Sequence, residues 1–355
     1  MKDPDEELRV AFLTVGDTSR LTGGYLYNAR ILEGLRERGV DVTEVVPCGA
    51  SQEEQEASAP DLATLNPADF DVLVVDALAC TVAAPWLDLW RRERPVVALV
   101  HELPSVAAPG TNRALEEPLL RADRLVTVSV HGKKILESRE APAGRTVVVP
   151  PGFDRLDPAA VEVDLDVHRG GVVALCVAQW IERKGILDLV KAWKRRERPD
   201  AILRLLGENE ADPGYADRVR AEIGDSPGIL VEGAVDDVAL EAAYYSADFF
   251  VLPSRYEGYG VVYAEALAVG LPVVACEVGP VPELVGEDAA ILVPPDDVEA
   301  LSAAIDLLME DPDLRTRMSA AAFHRAARLP SWRDTVEGFH EVLRSVAGDF
   351  SGRVA

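Results

Sequence analysis

The chain has 355 residues, of which 48% are hydrophobic and 27% charged, a composition typical of a folded protein and unlike that of a disordered one. This length exceeds one ordinary core and suits two domains of about 150 residues each. With 36 basic against 61 acidic residues the formal net charge is −25, which argues against a nucleic-acid-binding protein because phosphates would be repelled.

The beginning of the chain favours a cytoplasmic protein without a transmembrane segment. The start, MKDPDEELRVAFL, is acidic and leads directly into an apolar run, unlike a signal peptide. The longest uncharged apolar stretch nearby, residues 77–87, is too short to span a bilayer. The cysteines are far apart and form no CxxC pair, so we expect buried, reduced thiols and no zinc site at Cys48, Cys80, Cys176 and Cys276.

Residues 1–154 predict a Rossmann-like domain with a parallel, doubly wound sheet. RVAFLTV predicts a buried strand, the loop GDTSRLTGG follows, and YLYNARILEGLRERG predicts an amphipathic helix that ends at Gly39. Further apolar runs are separated by helix-length stretches, at VDVTEVV, FDVLVVDAL, PVVALVHE, DRLVTVS and RTVVVPPGF. This alternation of strands and helices is typical of an α/β fold.

The polar and acidic residues 154–170 predict a hinge or linker, after which the alternation restarts. The new apolar runs are GVVALCVAQW, AILRLLGE, GILVEGAV, ADFFVLPS, LPVVACE and AAILVPP, with a long helical tail after Asp297. We predict a second Rossmann-like domain over 155–334 and a C-terminal helix, about 335–355, that packs back on the first domain. Two such domains in tandem place a ligand in a central cleft, at the carboxyl ends of both sheets.

The glycine pattern argues against a dinucleotide cofactor. The first strand-to-helix turn holds Gly23 and Gly24 but no GxGxxG, and the run Gly258, Tyr259, Gly260 lacks a third glycine. NAD binding is therefore disfavoured.

Candidate site residues are densest in VLPSRYEGYGVVYAEALAVGLPVVAC, residues 251–276. The pattern predicts a strand, a loop with Glu257 and two glycines, and a helix that begins near Gly260. Such glycines let the backbone approach a ligand, and the free N–H groups of a helix start favour an anion such as a diphosphate. The carboxylates of Glu257 and Glu265 can accept hydrogen bonds from paired hydroxyls of a sugar or a ribose.

This segment resembles the EX7E signature of retaining glycosyltransferases of family four, which have the two-domain GT-B fold. In that family the first Glu contacts the donor sugar and the second contacts the nucleotide ribose. The resemblance assigns these roles to Glu257 and Glu265, and places Gly258, Tyr259 and Gly260 in the same donor-binding loop.

Other segments resemble the same family. RLTGGYLYNARILEGLRERGVDV is similar to its N-terminal glycine loop and first helix, where the backbone near Gly24 approaches the donor phosphates and the loop, with Gly23 and Tyr25, borders the acceptor. PVVALVHE places His101 at a strand end, like the histidine that faces the donor sugar. ADRLVTVSVHGKKIL, VVVPPGFD and GPVPELV also match, so the likeness covers nearly the whole chain and is weakest in 47–95 and in the tail.

One departure from the family concerns the donor diphosphate. VAQWIERKGILDLVKAW resembles the strand, loop and helix whose Arg and Lys hold this group. Lys184 matches, but Gln179 stands at the position of the Arg. Glutamine donates hydrogen bonds without a positive charge, so the diphosphate is held less strongly unless Arg183, or Arg255, replaces the missing cation.

The resemblance implies a hexosyltransferase that moves a hexose from a nucleoside diphosphate sugar to a hydroxyl of a small-molecule, glycan or lipid-linked acceptor. Cationic side chains and helix N-termini stabilise the leaving diphosphate, so we expect no metal and no other cofactor. His101 and Glu257 are the expected catalytic residues, which orient the sugar. The DxD-like triplets at 69–71, 164–166 and 311–313 are expected to be solvated.

Two alternatives remain within the same fold. An epimerase needs no acceptor and a phosphorylase needs inorganic phosphate, which distinguishes both from a transferase. A catalytically silent GT-B scaffold subunit, suggested by Gln179, would bind no nucleotide. The nucleotide base, the sugar, the acceptor and the oligomeric state are left open by the sequence.

Overall fold

The computed structural model describes residues 8–16, 22–49, 52–107, 112–139, 141–153, 171–195 and 200–354. The chain divides into two compact units, Met1–Gly152 with Pro330–Ala355, and Phe153–Leu329. The sequence analysis predicted domain boundaries after residues 154 and 334, whereas the compact units divide after Gly152 and Leu329. The predicted linker, 154–170, lies outside the described residues.

The first unit is built on six parallel strands. These strands are β1 (Arg9–Leu13), β2 (Asp41–Val45), β3 (Val72–Asp76), β4 (Val96–Val100), β5 (Arg124–Thr127) and β6 (Thr146–Val148). Its helices are α1 (Gly23–Glu37), α2 (Gln52–Ala57), α3 (Cys80–Glu93), α4 (Pro104–Ala107), α5 (Glu117–Leu120), α6 (Val130–Ser138) and the last helix of the chain, α14 (Trp332–Val354). Short 3-10 helices lie at Ala59–Thr64, Pro67–Asp69, Ala77–Ala79, Arg113–Leu115 and Ala143–Arg145.

The strand order of this first sheet is β2-β1-β3-β4-β5-β6. Every residue of β3 and β4 is buried, as expected of valine-rich strands that are covered on both faces. Because β2 and β3 flank β1 on opposite sides, the connections diverge there and open a crevice at the carboxyl ends of β1 and β3. This point in the sheet is where a doubly wound fold usually binds its ligand.

The second unit repeats the plan with six further parallel strands. They are β7 (Val172–Val177), β8 (Ala201–Leu206), β9 (Ile229–Gly233), β10 (Phe249–Leu252), β11 (Val273–Cys276) and β12 (Ala290–Val293). The helices are α7 (Ile186–Lys194), α8 (Pro213–Ile223), α9 (Asp237–Tyr245), α10 (Val261–Ala268), α11 (Val281–Val285), α12 (Val298–Glu310) and α13 (Pro312–Ala326), with a 3-10 helix at Glu182–Lys184.

The strand order of the second sheet is β12-β11-β10-β7-β8-β9. Its switch point therefore lies between β7 and β10, and the loops that follow these two strands are neighbours at the carboxyl edge. The predicted fold class, two doubly wound α/β domains, is confirmed. The two sheets differ in order: the switch point of the first sheet divides its strands into two and four, whereas that of the second sheet divides them into three and three.

The long helical tail expected after Asp297 is three helices. The side chain of Asp311 accepts a hydrogen bond from the Leu314 amide at 2.8 Å and caps α13, while Pro312 ends α12. Helix α14 packs on α1 so closely that a Cβ on Gly34 would lie 2.6 Å from the Val336 side chain. The last helix thus completes the core of the first unit.

Three smaller expectations have mixed outcomes. All four cysteines are free thiols, but Cys48 is exposed because it follows β2 beyond the end of the sheet, so the prediction of burial is wrong there. Of the DxD-like triplets expected to be solvated, 164–166 lies outside the described residues, and Asp69 and Asp313 are exposed. The expectation is wrong for Asp71, whose side chain is only 14% exposed and accepts a hydrogen bond from the backbone N–H of Arg9 at 2.9 Å. Within the part of the chain that the structure describes, no helix is both long enough and apolar enough to cross a membrane.

Candidate active site

The candidate site of the second unit lies on the two loops that follow β7 and β10. The backbone N–H of Arg255 donates to the carbonyl of Arg183 at 2.8 Å, and Nη1 of Arg183 donates to the carbonyl of Tyr256 at 3.2 Å. The left-handed Gly185 (φ +69°) lets the first loop pass Pro253, since a Cβ there would overlap the Pro253 carbonyl. These contacts hold the two loops side by side.

Three side chains of these loops form an ionic cluster: Arg183, Lys184 and Glu257. Nζ of Lys184 lies 2.6 Å from Oε1 of Glu257, and Nη1 of Arg183 lies 3.9 Å from Oε2. Glu257 is 5% exposed, and this burial by itself raises the pKa of Glu257. The attraction of Lys184 and Arg183 outweighs burial and lowers that pKa below its usual range. Glu257 is therefore an ionised carboxylate, which accepts hydrogen bonds and donates none.

Helix α10 begins directly after this cluster. Gly260 is its N-cap with φ +98°, and a Cβ at this position would lie 2.6 Å from the ring of Tyr263. The N-cap makes no side-chain hydrogen bond to this first turn, and the N–H groups at a helix start favour an anion. Tyr259 and Gly258 precede the cap, and burial raises the pKa of Tyr259 to about 12, which keeps this phenol a neutral donor.

Glu265 lies on α10, where the hydroxyl of Tyr244 donates to its Oε2 at 2.6 Å. Burial raises the pKa of Glu265, and the hydrogen bond from Tyr244 opposes this only in part. The two carboxylates of the EX7E spacing therefore differ in environment: Glu257 is paired with cations and Glu265 with a phenol. Tyr244 was not identified from the sequence, and no motif marks it.

The side-chain amide of Gln179 is hydrogen-bonded to a carboxylate. Its Nε2 donates to Oε2 of Glu208 at 2.6 Å, which joins the loop after β7 to the end of β8. Sequence reasoning missed Glu208, although it lies two residues after the end of β8, at the carboxyl edge of the parallel sheet.

Arg255, the other candidate to replace the missing cation, is held away from the cluster by acidic partners. Its guanidinium forms ion pairs with Glu182, Asp188 and Asp296. Arg255 therefore braces the loop that carries Arg183, and Arg183 is the cation that accompanies Lys184 beside Glu257.

In the first unit, Gly24 and His101 are brought together. His101 follows β4 directly, and a Cβ on Gly24 would lie 3.6 Å from Cδ2 of His101. Gly23 is exposed at the first residue of α1. The hydroxyl of Tyr25 donates to the carbonyl of Val15 at 2.9 Å, which packs this side chain on the end of β1.

A buried polar network lies behind His101. Nε2 of His101 is 2.8 Å from Oδ1 of Asn28, and Nδ2 of Asn28 donates to Oδ2 of Asp76 at 2.7 Å. The hydroxyl of Thr14 donates to the same Asp76 oxygen at 3.1 Å. Burial lowers the pKa of His101, and the charge of Asp76 partly opposes that shift.

The sequence analysis missed this network, although two signals were available. Asp76 ends the apolar strand VLVVD, and Asn28 lies on the apolar face of α1 beside Tyr27 and Ile31. A polar residue in either position has to find a partner, because an unpaired polar group is costly to bury. Among the described residues, no group of three or more His, Cys, Asp or Glu side chains is arranged to hold a metal ion.

Residues 165–325 match the family model described as Glycosyl transferases group 1. A D-inositol 3-phosphate glycosyltransferase of Kineococcus radiotolerans is 30% identical over 303 residues, which cover 74% of this chain and 69% of that protein. An MMP alpha-(1->4)-mannosyltransferase of Mycolicibacterium hassiacum is 32% identical over 186 residues, which cover 50% of this chain and 45% of that protein. The match thus spans less than half the length of the second relative.

Two solved structures show the same fold over nearly the whole chain. Sucrose-phosphate synthase from Thermosynechococcus elongatus gives a TM-score of 0.81 at 22% identity and covers 97% of this chain and 100% of its own. Anabaena HepE in complex with UDP and glucose gives 0.77 at 19% identity, with 96% and 100% covered. Together with two doubly wound units, these likenesses identify the fold as GT-B. By its matching segment and its relatives, the chain belongs to the glycosyl transferases group 1 family.

Proposed function

We propose that this chain is a retaining hexosyltransferase, which moves a hexose from a nucleoside diphosphate sugar to a hydroxyl acceptor. The observation that carries the proposal is the ionic cluster at the start of α10, where buried Glu257 lies 2.6 Å from Lys184. Cations and helix N–H groups suit a diphosphate, and an ionised carboxylate suits sugar hydroxyls. Support comes from relatives named as a mannosyltransferase and a glycosyltransferase, and from HepE, which is described with UDP and glucose.

The proposed reaction needs no protein nucleophile. The bond from the anomeric carbon to the diphosphate oxygen breaks, and the acceptor oxygen bonds to that carbon from the same face, which retains the configuration. The proton of the acceptor hydroxyl passes to the departing phosphate oxygen. Lys184, Arg183 and the N–H groups at the start of α10 stabilise the charge that develops on the diphosphate, so we expect no metal requirement.

The other site residues receive roles that follow from their environment. Glu257 accepts hydrogen bonds from the hexose and steadies positive charge at its anomeric carbon, and Glu265 accepts them from the ribose. Gly24 leaves room beside His101, which is proposed to contact the sugar. The acceptor is proposed to be a small molecule, a glycan or a lipid-linked sugar held by the first unit, near Gly23. A cytoplasmic location stays a prediction, which cell fractionation would test.

One observation favours a second candidate, a GT-B scaffold that does not catalyse transfer. The family that the chain resembles has an arginine where Gln179 stands. Here the neutral amide nitrogen of Gln179 lies 2.6 Å from the carboxylate of Glu208. A diphosphate placed near this pair would be repelled by Glu208, and nucleotide affinity would fall. The two candidates therefore differ in whether the chain binds a nucleotide at all.

Calorimetric titration with UDP, GDP, ADP and dTDP, each with and without magnesium, separates these candidates. Micromolar binding of one nucleotide without magnesium supports the donor site and selects the base. Binding of none contradicts the transferase and supports the scaffold. Transfer is then tested with hexose conjugates of the selected nucleoside diphosphate and a panel of acceptors, by measuring release of the nucleoside diphosphate. Release that requires inorganic phosphate indicates a phosphorylase instead.

A further inference from the structure

The network behind His101 combines side chains from four separate segments, and we call His101, Asn28, Asp76 and Thr14 the histidine relay. Asp76 ends β3, Asn28 lies on α1, Thr14 follows β1 and His101 follows β4. Thr14, Asn28 and Asp76 are 1%, 4% and 0% exposed. The relay therefore lies at the switch point of the first sheet, and His101 is its partly exposed end.

The hydrogen bonds of the relay have a fixed direction. Asp76 accepts from the backbone N–H of Leu78 at its Oδ1 and from Nδ2 of Asn28 at its Oδ2. Because an ionised carboxylate only accepts, Asn28 has to turn its amino group toward Asp76 and its oxygen toward His101. An amide oxygen also only accepts, so Nε2 of His101 has to carry the proton in this bond.

A buried carboxylate in this position is a costly way to stabilise a fold. No cation among the described residues forms an ion pair with Asp76, whose oxygens are satisfied by two side-chain donors and one backbone N–H. An apolar residue at the end of β3 would bury equally well without the cost of desolvating a charge. A residue that lowers the stability of the fold at its own position, as a buried carboxylate does, often marks a functional site.

We propose that Asp76, acting through Asn28, fixes His101 as the Nε2–H tautomer, so that its Nδ1 offers an unprotonated lone pair to a hydroxyl of the donor sugar. This inference rests on the proposed function. His101 is the residue that touches the sugar, and Asn28 and Asp76 are positioning residues. Among the described residues Nδ1 has no hydrogen-bond partner, and burial keeps the imidazole neutral because it lowers the pKa of His101.

The substitution Asp76→Asn reverses the relay, and Thr14, whose hydroxyl loses its acceptor oxygen, accepts a hydrogen bond there instead of donating one. The N–H of Leu78 keeps the amide oxygen at the Oδ1 position, so the new amino group faces Asn28 and Thr14. Asn28 then turns over to accept from this group, and its own amino group faces His101. Nε2 of His101 has to accept, and the proton moves to Nδ1.

The matched control is Asp123→Asn, which makes the same change in another buried carboxylate of the first unit. Asp123 is 8% exposed, and its Oδ2 accepts from the N–H of Val96 at 3.0 Å. It pairs with Arg91 at 3.6 Å. This variant should leave His101 unchanged.

The experiment is nitrogen NMR of the full chain with labelled histidine, with His101→Asn used to assign the signals. We expect Nε2–H in the unmodified chain and in Asp123→Asn, and Nδ1–H in Asp76→Asn. Asn28→Leu, which removes the amide altogether, should give a mixture of both tautomers. If the unmodified chain shows Nδ1–H, or if Asp76→Asn and Asn28→Leu both keep the Nε2–H signal, the inference is overturned.

A binding measurement separates this role from a structural one. Asp76→Asn should weaken binding of the nucleotide sugar by about tenfold to a hundredfold, because Nδ1 then offers a proton where the sugar needs an acceptor. Binding of the matching nucleotide, which lacks the sugar, should be unchanged. Equal loss for both ligands would contradict the sugar contact. Failure of the unmodified chain to bind any nucleotide would contradict the proposed function, while the NMR result stands by itself.

Discussion

The ionic cluster and the histidine relay both lie at the switch point of a doubly wound sheet. They differ in how a buried carboxylate is stabilised. The cluster pairs buried Glu257 with Lys184 and Arg183, so charge is balanced by charge. The relay surrounds buried Asp76 with neutral donors, and the neutral amide of Asn28 lies between Asp76 and His101. We propose that the second unit holds an anion through this pairing, whereas the first unit orients a proton.

The largest effect should come from removing the carboxylate of the ionic cluster. Glu257→Gln keeps the shape but cannot hold Lys184 and the sugar together, so we expect transfer to fall by about 10²- to 10³-fold. The free energy of unfolding should fall by about 1–3 kcal/mol, because the cations lose their buried partner. Transfer rates and thermal unfolding would be measured on the same preparation.

Glu116→Gln is the matched control for this substitution. Glu116 is 1% exposed, accepts hydrogen bonds from Ser105 and lies 3.8 Å from Arg139 in the first unit. This variant should be destabilised and still transfer sugar while folded. Glu257→Gln with unchanged transfer would sink the catalytic assignment.

The second effect concerns nucleotide affinity. Lys184→Met should weaken nucleoside diphosphate binding by about tenfold to a hundredfold, since a charge-assisted hydrogen bond to phosphate is lost. Lys194→Met is the control, because Lys194 at the end of α7 pairs with Glu222 on α8 at 3.4 Å and lies outside the cluster. Calorimetric titration of both variants checks the difference, and equal affinities would show that the diphosphate is bound elsewhere.

A smaller effect should reveal what the pair of Gln179 and Glu208 does. Gln179→Arg alone should change nucleotide affinity by less than about threefold, because the new guanidinium faces the Glu208 carboxylate and pairs with it. Combined with Glu208→Gln, the same arginine is released toward phosphate and should raise affinity by about tenfold. A large gain from Gln179→Arg alone would show that Glu208 does not control this position.

The smallest effect is on the pH dependence of the free energy of unfolding, to which His101 of the relay and Glu257 of the cluster contribute at different pH. The pKa of His101 is lowered below 6.5 by burial, against the charge of Asp76. Between the folded value and 6.5 the unfolded chain binds more protons, so stability should fall as pH falls below 6.5. The pKa of Glu257 is lowered below 4.5 despite its burial, so its contribution is lost only at lower pH, as pH falls through the folded value.

Thermal unfolding as a function of pH tests this order. His101→Asn should reduce the slope of the free energy of unfolding against pH below pH 6.5. The reduction is at most that of one bound proton, about 1.4 kcal/mol per pH unit. His340 on α14 also has a pKa lowered by burial and by nearby arginines, so His340→Gln measures its separate share. An unchanged curve in His101→Asn would show that His101 is not buried in the neutral form.

The sequence predicted the second region far better than the first, for a physical reason. Glu257 and Glu265 are eight positions apart on one loop and helix, so their proximity is local and can be recognised from spacing alone. The twelve strands were recognisable as apolar runs because parallel strands are buried on both faces.

The relay could not be predicted in this way, because its contacts are set by strand order. Asn28 meets Asp76 and His101 across 48 and 73 positions, and only the adjacency of β1, β3 and β4 brings their carboxyl ends together. Hydrophobic periodicity identifies strands without ordering them. The partners of Gln179 and Arg255 were missed for the same reason.

The packing of α14 on α1 has a consequence for synthesis. Phe339 and Leu343 are 0% exposed in the core of the first unit, so the unit that begins the chain lacks part of its interior until the last helix leaves the ribosome. The second unit, a single stretch over 153–329, is complete earlier. Domains usually fold in the order of their emergence, and here we expect the order of completion to be reversed. A truncation that removes α14 should therefore harm the N-terminal half of the protein first.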